Sequence, residues 1–151
     1  MSFEIPAGES MVLDTSTLIA YLNLSEAASR AATYVLDELV STERNPAVIS
    51  SVTVGEILVR PLRQLGRVPD HTKAFLLGFP GLSIRSADFL VAAEAADIRA
   101  KTGATLADAL IAATAALTSS RWLITNDRTL RDRLARLDWE TTVLLLSELR
   151  V

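Results

Sequence analysis

The stretch TLADALIAATAALTSSRWLIT, residues 105–125, joins a helical pattern to a strand pattern. From Leu106 to Leu117 almost every position is apolar or small, so the predicted helix should be buried on most of its faces. After a short polar turn, the run RWLIT predicts a buried strand. A buried helix followed by a buried strand is typical of a helix that crosses over a parallel sheet.

Short apolar runs alternate with helical patterns along the rest of the chain as well. The predicted strands are residues 11–14, 45–50, 81–86, 121–125 and 141–147. The predicted helices are residues 16–23, 26–41, 51–66, 69–79, 87–103, 106–117 and 126–138, with Ser25 and Ser86 as expected N-caps of the second and fifth. This alternation predicts an α/β fold with three α/β/α layers and a central, mostly parallel sheet.

The length of 151 residues is typical of one domain, which we expect to span residues 11–151 after a loose tail of residues 1–10. Hydrophobic residues make up 50% of the chain, more than a solvated monomer needs, so a second copy or another protein is expected to cover part of the surface. The N-terminus has no signal-peptide pattern and no apolar run reaches the roughly 18 residues of a membrane span, so no membrane association is expected.

The composition also restricts the chemistry. Cysteine is absent and His71 is the only histidine. A disulfide framework, a thiolate metal site and Ser-His-Asp catalysis are therefore not expected, and the lack of cysteine fits a reducing, cytoplasmic environment. Because the formal net charge is −3, any contact with nucleic acid would depend on a local basic surface or a metal ion.

Four acidic residues occur where predicted strands end or near the start of predicted helices: Asp14, Glu56, Asp108 and Asp127. Each has an ordinary explanation as an N-cap, as part of a capping box or as a favourable charge at a helix N-terminus. However, the carboxyl ends of parallel strands share one edge of the sheet, where ligands bind in α/β folds. Asp14 and Asp127 are therefore expected to meet at this edge.

If Glu56 and Asp108 point to the same edge, the repulsion among the four carboxylates has to be compensated. Two like charges about 4 Å apart repel by ~4 kcal/mol at an effective dielectric constant of about 20. Either the pKa values rise or a divalent cation binds among the acids. An all-oxygen ligand set favours Mg²⁺ or Mn²⁺ over Zn²⁺, and such an ion suits phosphodiester hydrolysis. An uncompensated carboxylate next to so apolar a helix would be costly, so Asp108 is expected to face the metal.

Other functions remain open at this point. The chain contains neither a P-loop nor a G-x-G-x-x-G motif. Two residues after Asp14, where a phosphatase that forms an aspartyl-phosphate would usually place an acidic proton donor, the chain has Ser16. One alternative is a catalytically silent domain that binds RNA or a protein. Another is a metal-dependent phosphatase or a phosphoacceptor domain, which would leave RNA intact.

Four segments, in this order and spacing, resemble the PIN-domain nucleases, specifically the VapC-type toxins of toxin–antitoxin pairs. They are VLDTSTLIAYL (12–22), SVTVGEIL (51–58), LADALIAATAAL (106–117) and LITNDRTL (123–130). The resemblance runs from Met11 to the end of the chain, and DALIAATA followed by ITND is its most specific part. The positions that match the family's four acids are Asp14, Glu56, Asp108 and Asp127. Thr125 matches the small polar residue of the last motif, and Ser16 matches a polar residue that hydrogen-bonds within the site.

The resemblance implies a Mg²⁺- or Mn²⁺-dependent endoribonuclease that is the toxin of a type II toxin–antitoxin system. It also implies a homodimer and a cognate antitoxin, for which the apolar helices of residues 16–40 are a possible groove. We expect Asp14 and Asp108 to ligate the metal directly. Glu56 is expected to ligate it directly or through water, and Asp127 to hold a second ion or a water ligand.

Basic residues are the candidates for contact with RNA. Glu56, Arg60, Arg63 and Arg67 have a spacing that places them on one helical face, although Pro61 predicts a kink there. A surface ion pair explains the Glu56–Arg60 spacing, and a track for backbone phosphates is the functional interpretation. Arg128, beside Asp127, is the other arginine expected at the substrate. Since aromatic residues are only 5% of the chain, recognition by RNA shape and backbone is expected rather than base stacking.

Overall fold

The computed structural model describes residues 2–151, and its strands form one fully parallel sheet. The strands are β1 (Met11–Leu13), β2 (Ala47–Ser50), β3 (Leu82–Arg85), β4 (Trp122–Thr125) and β5 (Thr142–Leu145). Their order across the sheet is β3-β2-β1-β4-β5. Each predicted strand is confirmed to within two residues at either end, and the α/β prediction with it.

Helices connect the strands and cover both faces of the sheet. They are α1 (Thr15–Leu22), α2 (Ser29–Thr33), α3 (Ser51–Leu65), α4 (Asp70–Gly78), α5 (Phe89–Thr102), α6 (Leu106–Leu117) and α7 (Arg128–Leu134). A π-helical segment, Tyr34–Val40, continues α2, and a 3-10 helix, Leu146–Glu148, follows β5. Within residues 2–151, no helix combines the length and the apolar character that crossing a membrane would require.

The two faces of the sheet belong to two separate hydrophobic cores. In β1, Met11 and Leu13 face one core, while Val12 faces the other, as the alternation of side chains along a strand requires. The first core packs against α1, α2, the π-helical segment and parts of α3 and α4, and the second packs against α5, α6 and α7. This arrangement confirms the predicted three layers.

Helix α6 is buried for the reason that its sequence indicates. Ile111 and four of its alanines lie in the second core, where Ala109, Ala112, Ala113 and Ala115 have no exposed surface. Small side chains allow α6 to pack closely against α5 and against the sheet. The apolar run therefore serves packing, and it fixes the position of the first turn, which carries Asp108.

Two predicted helix N-caps, Ser25 and Ser86, are wrong. Helix α2 begins at Ser29 rather than at residue 26, because the Asn23 side chain accepts hydrogen bonds from the backbone and hydroxyl of Ser25 and holds this stretch in a turn. Helix α5 is capped by Asp88 rather than by Ser86, since the Asp88 carboxylate accepts from the backbone N–H of Val91 at 3.1 Å. A carboxylate competes better for this donor than a hydroxyl does.

The N-terminal residues 2–10 do not form the loose tail that the sequence suggested. Ile5 is 1% exposed within the first core, and the ring centroid of Phe3 lies 4.8 Å from that of Trp122. Phe3 also forms a parallel bridge with Leu149, close to the other end of the chain. The prediction failed because these contacts join residues far apart in sequence, and no local pattern marks them.

Candidate active site

The four predicted acids lie around the point where the strand order reverses. From β1 the chain builds β2 and β3 on one side of the sheet and then β4 and β5 on the other. The carboxyl ends of β1 and β4 therefore border a crevice, which is where open parallel sheets bind ligands. Asp14 follows β1 directly, and its backbone N–H donates to the carbonyl of Ile124 in β4 at 2.9 Å.

Asp14 is almost completely buried, with 4% of its surface exposed. One carboxylate oxygen, Oδ2, accepts hydrogen bonds from the hydroxyls of Ser16 at 2.7 Å and Thr125 at 2.8 Å. Although Asp14 occupies the N-cap position of α1, its side chain makes no capping bond to that helix. Helix capping therefore does not explain this acid, and its carboxylate is oriented within the crevice instead.

The loop after β4 donates hydrogen bonds to the two hydroxyl groups that bind the Asp14 carboxylate. The Thr125 hydroxyl accepts a hydrogen bond from the backbone of Asp127 at 3.0 Å, and the Ser16 hydroxyl accepts one from the backbone of Asn126 at 2.9 Å. Asp127 caps α7 through Oδ1, which accepts from the backbone of Leu130 at 3.2 Å. Its capping role is confirmed, and it uses only one of the two carboxylate oxygens.

Glu56 reaches the crevice from the second turn of α3. Its Oε1 accepts a 2.6 Å hydrogen bond from the hydroxyl of Thr15, which also lies 3.0 Å from the hydroxyl of Thr53. Ser50 caps this helix, so the capping box suggested by the spacing of Thr53 and Glu56 is not formed. Thr15 and Thr53 were not predicted as site residues from the sequence, although Thr15 directly follows Asp14 and Thr53 lies one helical turn before Glu56.

Asp108 lies in the first turn of α6, where Thr105 is the N-cap and accepts from the Asp108 backbone at 3.2 Å. Partial burial raises the pKa of its carboxyl group, and the charges of Asp14, Asp127 and Glu56 raise it further. Asp108 is therefore close enough to the other three acids to be affected by their charges. The pKa of Asp14 is raised as well, mainly by burial and to a smaller extent by Asp127, against the opposing hydrogen bonds from Ser16 and Thr125.

A divalent cation is the group that such a set of acids would bind, and the donor chemistry fits one. No three acidic or histidine side chains among residues 2–151 stand close enough to enclose an ion as they are placed. Hydrated Mg²⁺, however, usually takes only one or two protein carboxylates and completes its shell with water and substrate oxygens. Glu56 and Asp127 are exposed, so their side chains can adjust to an ion held by Asp14 and Asp108.

Among the arginines singled out from the sequence, Arg60 lies beside one of the four acids. Helix α3 continues through Pro61, and Arg60 lines a cavity that Glu56 also borders. Within the described part of the chain, Glu56 and Arg60 form no ion pair, so the simple explanation of their spacing is not realised. Arg63, Arg67 and Arg128 are exposed, and a role for any of these residues at a substrate stays a prediction.

The raised pKa values predict how stability depends on pH when no divalent ion is bound. In the folded chain the pKa values of Asp14 and Asp108 lie above the ordinary value of 3.8. These two groups therefore make their full contribution to the free energy of unfolding at pH values below 3.8. This contribution is lost as pH rises through the raised pKa values. We expect the advantage in unfolding temperature of Asp14→Asn over wild type, measured by calorimetry in EDTA, to grow from about pH 4 to about pH 7. A difference that does not change with pH would contradict this.

Several solved structures share this fold. VapBC2 from Rickettsia felis, bound to a DNA fragment from its promoter, matches with a TM-score of 0.67 and 16% identity over 90% of this chain and 98% of that one. FitAcB from Neisseria gonorrhoeae matches with a TM-score of 0.67 and 22% identity over 92% and 99%. VapC20 from Mycobacterium tuberculosis, described as a sarcin-ricin loop cleaving toxin, matches with a TM-score of 0.64 and 17% identity over 87% and 98%.

At these identities the structural matches establish the fold alone. No curated protein sequence matches this chain. The sequence profile of the PIN domain, in contrast, matches residues 11–137, from the first residue of β1 to just beyond α7. That range contains Asp14, Glu56, Asp108 and Asp127 together with the hydroxyl groups that hold them. Because the profile covers most of the chain, this protein belongs to the PIN domain family.

Proposed function

We propose that this chain is a metal-dependent endoribonuclease and the toxin of a type II toxin–antitoxin pair. The observation that carries the proposal is the cluster of carboxylates at the reversal point of the sheet, in which Asp108 is affected by the charges of Asp14, Glu56 and Asp127. Membership of the PIN domain family and the fold shared with VapC20, a sarcin-ricin loop cleaving toxin, support the same reaction class.

The residues divide the work of phosphodiester hydrolysis among them. Asp14 and Asp108 would hold the cation, with Glu56 and Asp127 completing the negative pocket. A bound Mg²⁺ or Mn²⁺ would supply charge neutralisation at the phosphate and a more acidic water. Ser16 and Thr125 fix the orientation of the Asp14 carboxylate, and Thr15 fixes Glu56. The crevice thus holds the Asp14 carboxylate in place before substrate arrives, which lowers the cost of reorganisation.

A single incubation distinguishes this proposal from its alternatives. Purified protein is mixed with total RNA in Mg²⁺, Mn²⁺ or EDTA, and the cut ends are mapped by sequencing. We expect discrete internal cuts with either ion and none in EDTA. Intact RNA in every arm would indicate a silent binding domain. Hydrolysis of a small phosphoester, or phosphorylation of Asp14, with intact RNA would indicate the phosphatase alternative.

Thr15 provides a test of the positioning role proposed for its hydroxyl. Replacing Thr15, which is 7% exposed, with Val keeps the side-chain shape but removes the hydrogen bond to Glu56. We expect the rate of RNA cleavage to fall by about 10-fold, as for other groups that orient a metal ligand. The matched variant Thr15→Ser keeps the hydroxyl and should retain most of the rate. Equal losses in the two variants would show that packing matters here and the hydrogen bond does not.

The proposal includes a cognate antitoxin and a homodimer as partners, and exposed apolar side chains support both. Phe89 and Leu90, at the start of α5, are 83% and 62% exposed, which is costly unless another chain covers them. We expect Phe89→Asp to convert a dimer to a monomer in light scattering after size exclusion. Ala74→Asp, which places the same charge at an exposed position on α4 that carries no large apolar side chain, serves as control and should leave the dimer intact. A monomeric wild-type protein would contradict the dimer.

A further inference from the structure

Two cavities lie near the acid cluster, one lined by an acid of the cluster and the other by the residue that precedes Asp127. One, of about 430 Å³, has Glu56 in its wall. The other, of about 480 Å³, has Asn126 in its wall, and we call it the Asn126 cavity. Its polar lining consists of Glu26, Arg30, Asn126 and Ser147, and its apolar lining includes Ala27 and Leu146. None of these residues took part in the site described above, apart from the backbone of Asn126.

The Asn126 cavity begins one residue after β4, the strand whose last residue donates a hydrogen bond to the buried Asp14. Asn126 follows Thr125, whose hydroxyl donates to Asp14, and its backbone donates to Ser16, which bonds the same carboxylate. Asn126 is exposed and directly precedes Asp127, so the cavity adjoins the loop that carries one of the four acids. A strand of RNA whose phosphate lies at the acids would bring a neighbouring nucleotide to this opening.

We propose that the Asn126 cavity binds one unstacked nucleobase of the RNA, next to the phosphodiester that is cleaved. The inference rests on the proposed function and adds a subsite to it. The volume lies within the range of roughly 300–1,000 Å³ that small-molecule pockets occupy. Single-stranded RNA presents bases that can leave the stack and be read at their edges, as sequence-specific recognition of RNA requires.

The lining suits a base better than it suits a phosphate alone. The Asn126 amide and the Ser147 hydroxyl each donate and accept hydrogen bonds, and the Glu26 carboxylate accepts from base N–H groups. Arg30 is exposed and, within residues 2–151, has no carboxylate partner within 4.0 Å, so it is available to pair with a backbone phosphate. Because no aromatic ring lines the cavity among the described residues, the base faces would rest on aliphatic side chains and selectivity would come from the edges.

The test compares cut-site preferences of variants that change only the cavity lining. A pool of random-sequence single-stranded RNA is incubated with Mn²⁺ and with wild type, Asn126→Ala, Arg30→Glu or Ala27→Leu. The last of these substitutions fills the cavity from an exposed position. Sequencing of the ends gives the base preference beside the cut. Arg99→Glu makes the same charge reversal on the exposed surface of α5, outside the cavity, as a matched control. Thermal unfolding checks that each variant is folded.

We expect Asn126→Ala to weaken the base preference by about tenfold, which is the effect of one lost hydrogen bond. Ala27→Leu and Arg30→Glu should raise KM with little change in kcat, and Arg99→Glu should behave as wild type. Unchanged preference and KM in all three cavity variants would overturn this inference and leave the proposed function standing. No cleavage by wild type would overturn both. Variants that keep the preference but lose a copurifying protein would assign the cavity to a protein partner instead.

Discussion

Asp14→Asn is expected to abolish RNA cleavage while the fold persists. The substitution removes the negative charge of the most buried of the four acids, which is one of the two that we expect to hold the cation directly. We expect the rate to fall by at least about 10³-fold, since the ion's contribution to transition-state stabilisation depends on this ligand. The measurement is the initial rate of cleavage of a fluorescent RNA in saturating Mn²⁺, with a fold check by circular dichroism.

Asp14→Asn is also expected to leave the unfolding temperature of the protein equal to or above that of the wild type. Ser16 and Thr125 both donate to one oxygen of Asp14, so an amide that places its oxygen there keeps both hydrogen bonds. Burial and the charge of Asp127 disfavour the ionised carboxyl group, and asparagine removes that cost. An inactive variant with an equal or higher unfolding temperature would separate catalysis from folding. Retained cleavage, or inactivity caused by unfolding, would contradict the assigned role.

Gly81→Ala is expected to cause the largest loss of stability. A Cβ atom built at this glycine would lie 2.1 Å from the backbone carbonyl oxygen of Val40, and the φ angle of +77° already disfavours any L-residue. The contact is with backbone rather than with a flexible side chain, so the strand β3 or the end of the π-helical segment would have to move. We expect a loss of more than about 4 kcal/mol in the free energy of unfolding, a large share of a typical domain's stability.

Gly66 provides the matched control for this prediction. It has nearly the same φ angle, +70°, but a Cβ atom at this position would meet nothing within 4 Å. Gly66→Ala should therefore cost only the conformational penalty of roughly 1 kcal/mol. Urea unfolding followed by circular dichroism measures both variants. Equal losses would mean that the φ angle alone determines the effect and that the contact with Val40 is relieved without cost.

The sequence alone was sufficient for the sheet and for the meeting of Asp14 with Asp127. Strand polarity carries both residues to the same edge, and that inference requires only the alternation of strands and helices. The hydrogen bond from Thr15 to Glu56 could not be predicted from the sequence, because it depends on the direction in which the turn after β1 places a single hydroxyl. The burial of Ile5 was missed for a related reason, since its partners lie elsewhere in the chain.

The capping residues show where local patterns compete. Ser25 and Ser86 each lie two residues from a side chain that determined the outcome instead, Asn23 through a tighter turn and Asp88 as the better acceptor. For the four acids, a helix-capping role and a position at the crevice do not exclude each other. Asp127 caps α7 and also lies at the crevice, whereas the Asp14 side chain caps no helix and is held by Ser16 and Thr125. The ordinary explanation of each acid therefore had to be tested residue by residue.

The shared cation site can be tested directly with a crystal of this protein soaked in Mn²⁺ and measured for anomalous scattering. We expect an anomalous peak at the crevice between β1 and β4, within ligand distance of Asp14 and of at least one of Asp108, Glu56 and Asp127. Absence of any peak at a Mn²⁺ concentration that supports RNA cleavage, or a peak bound only at other acids, would contradict the claim that these carboxylates share a catalytic cation.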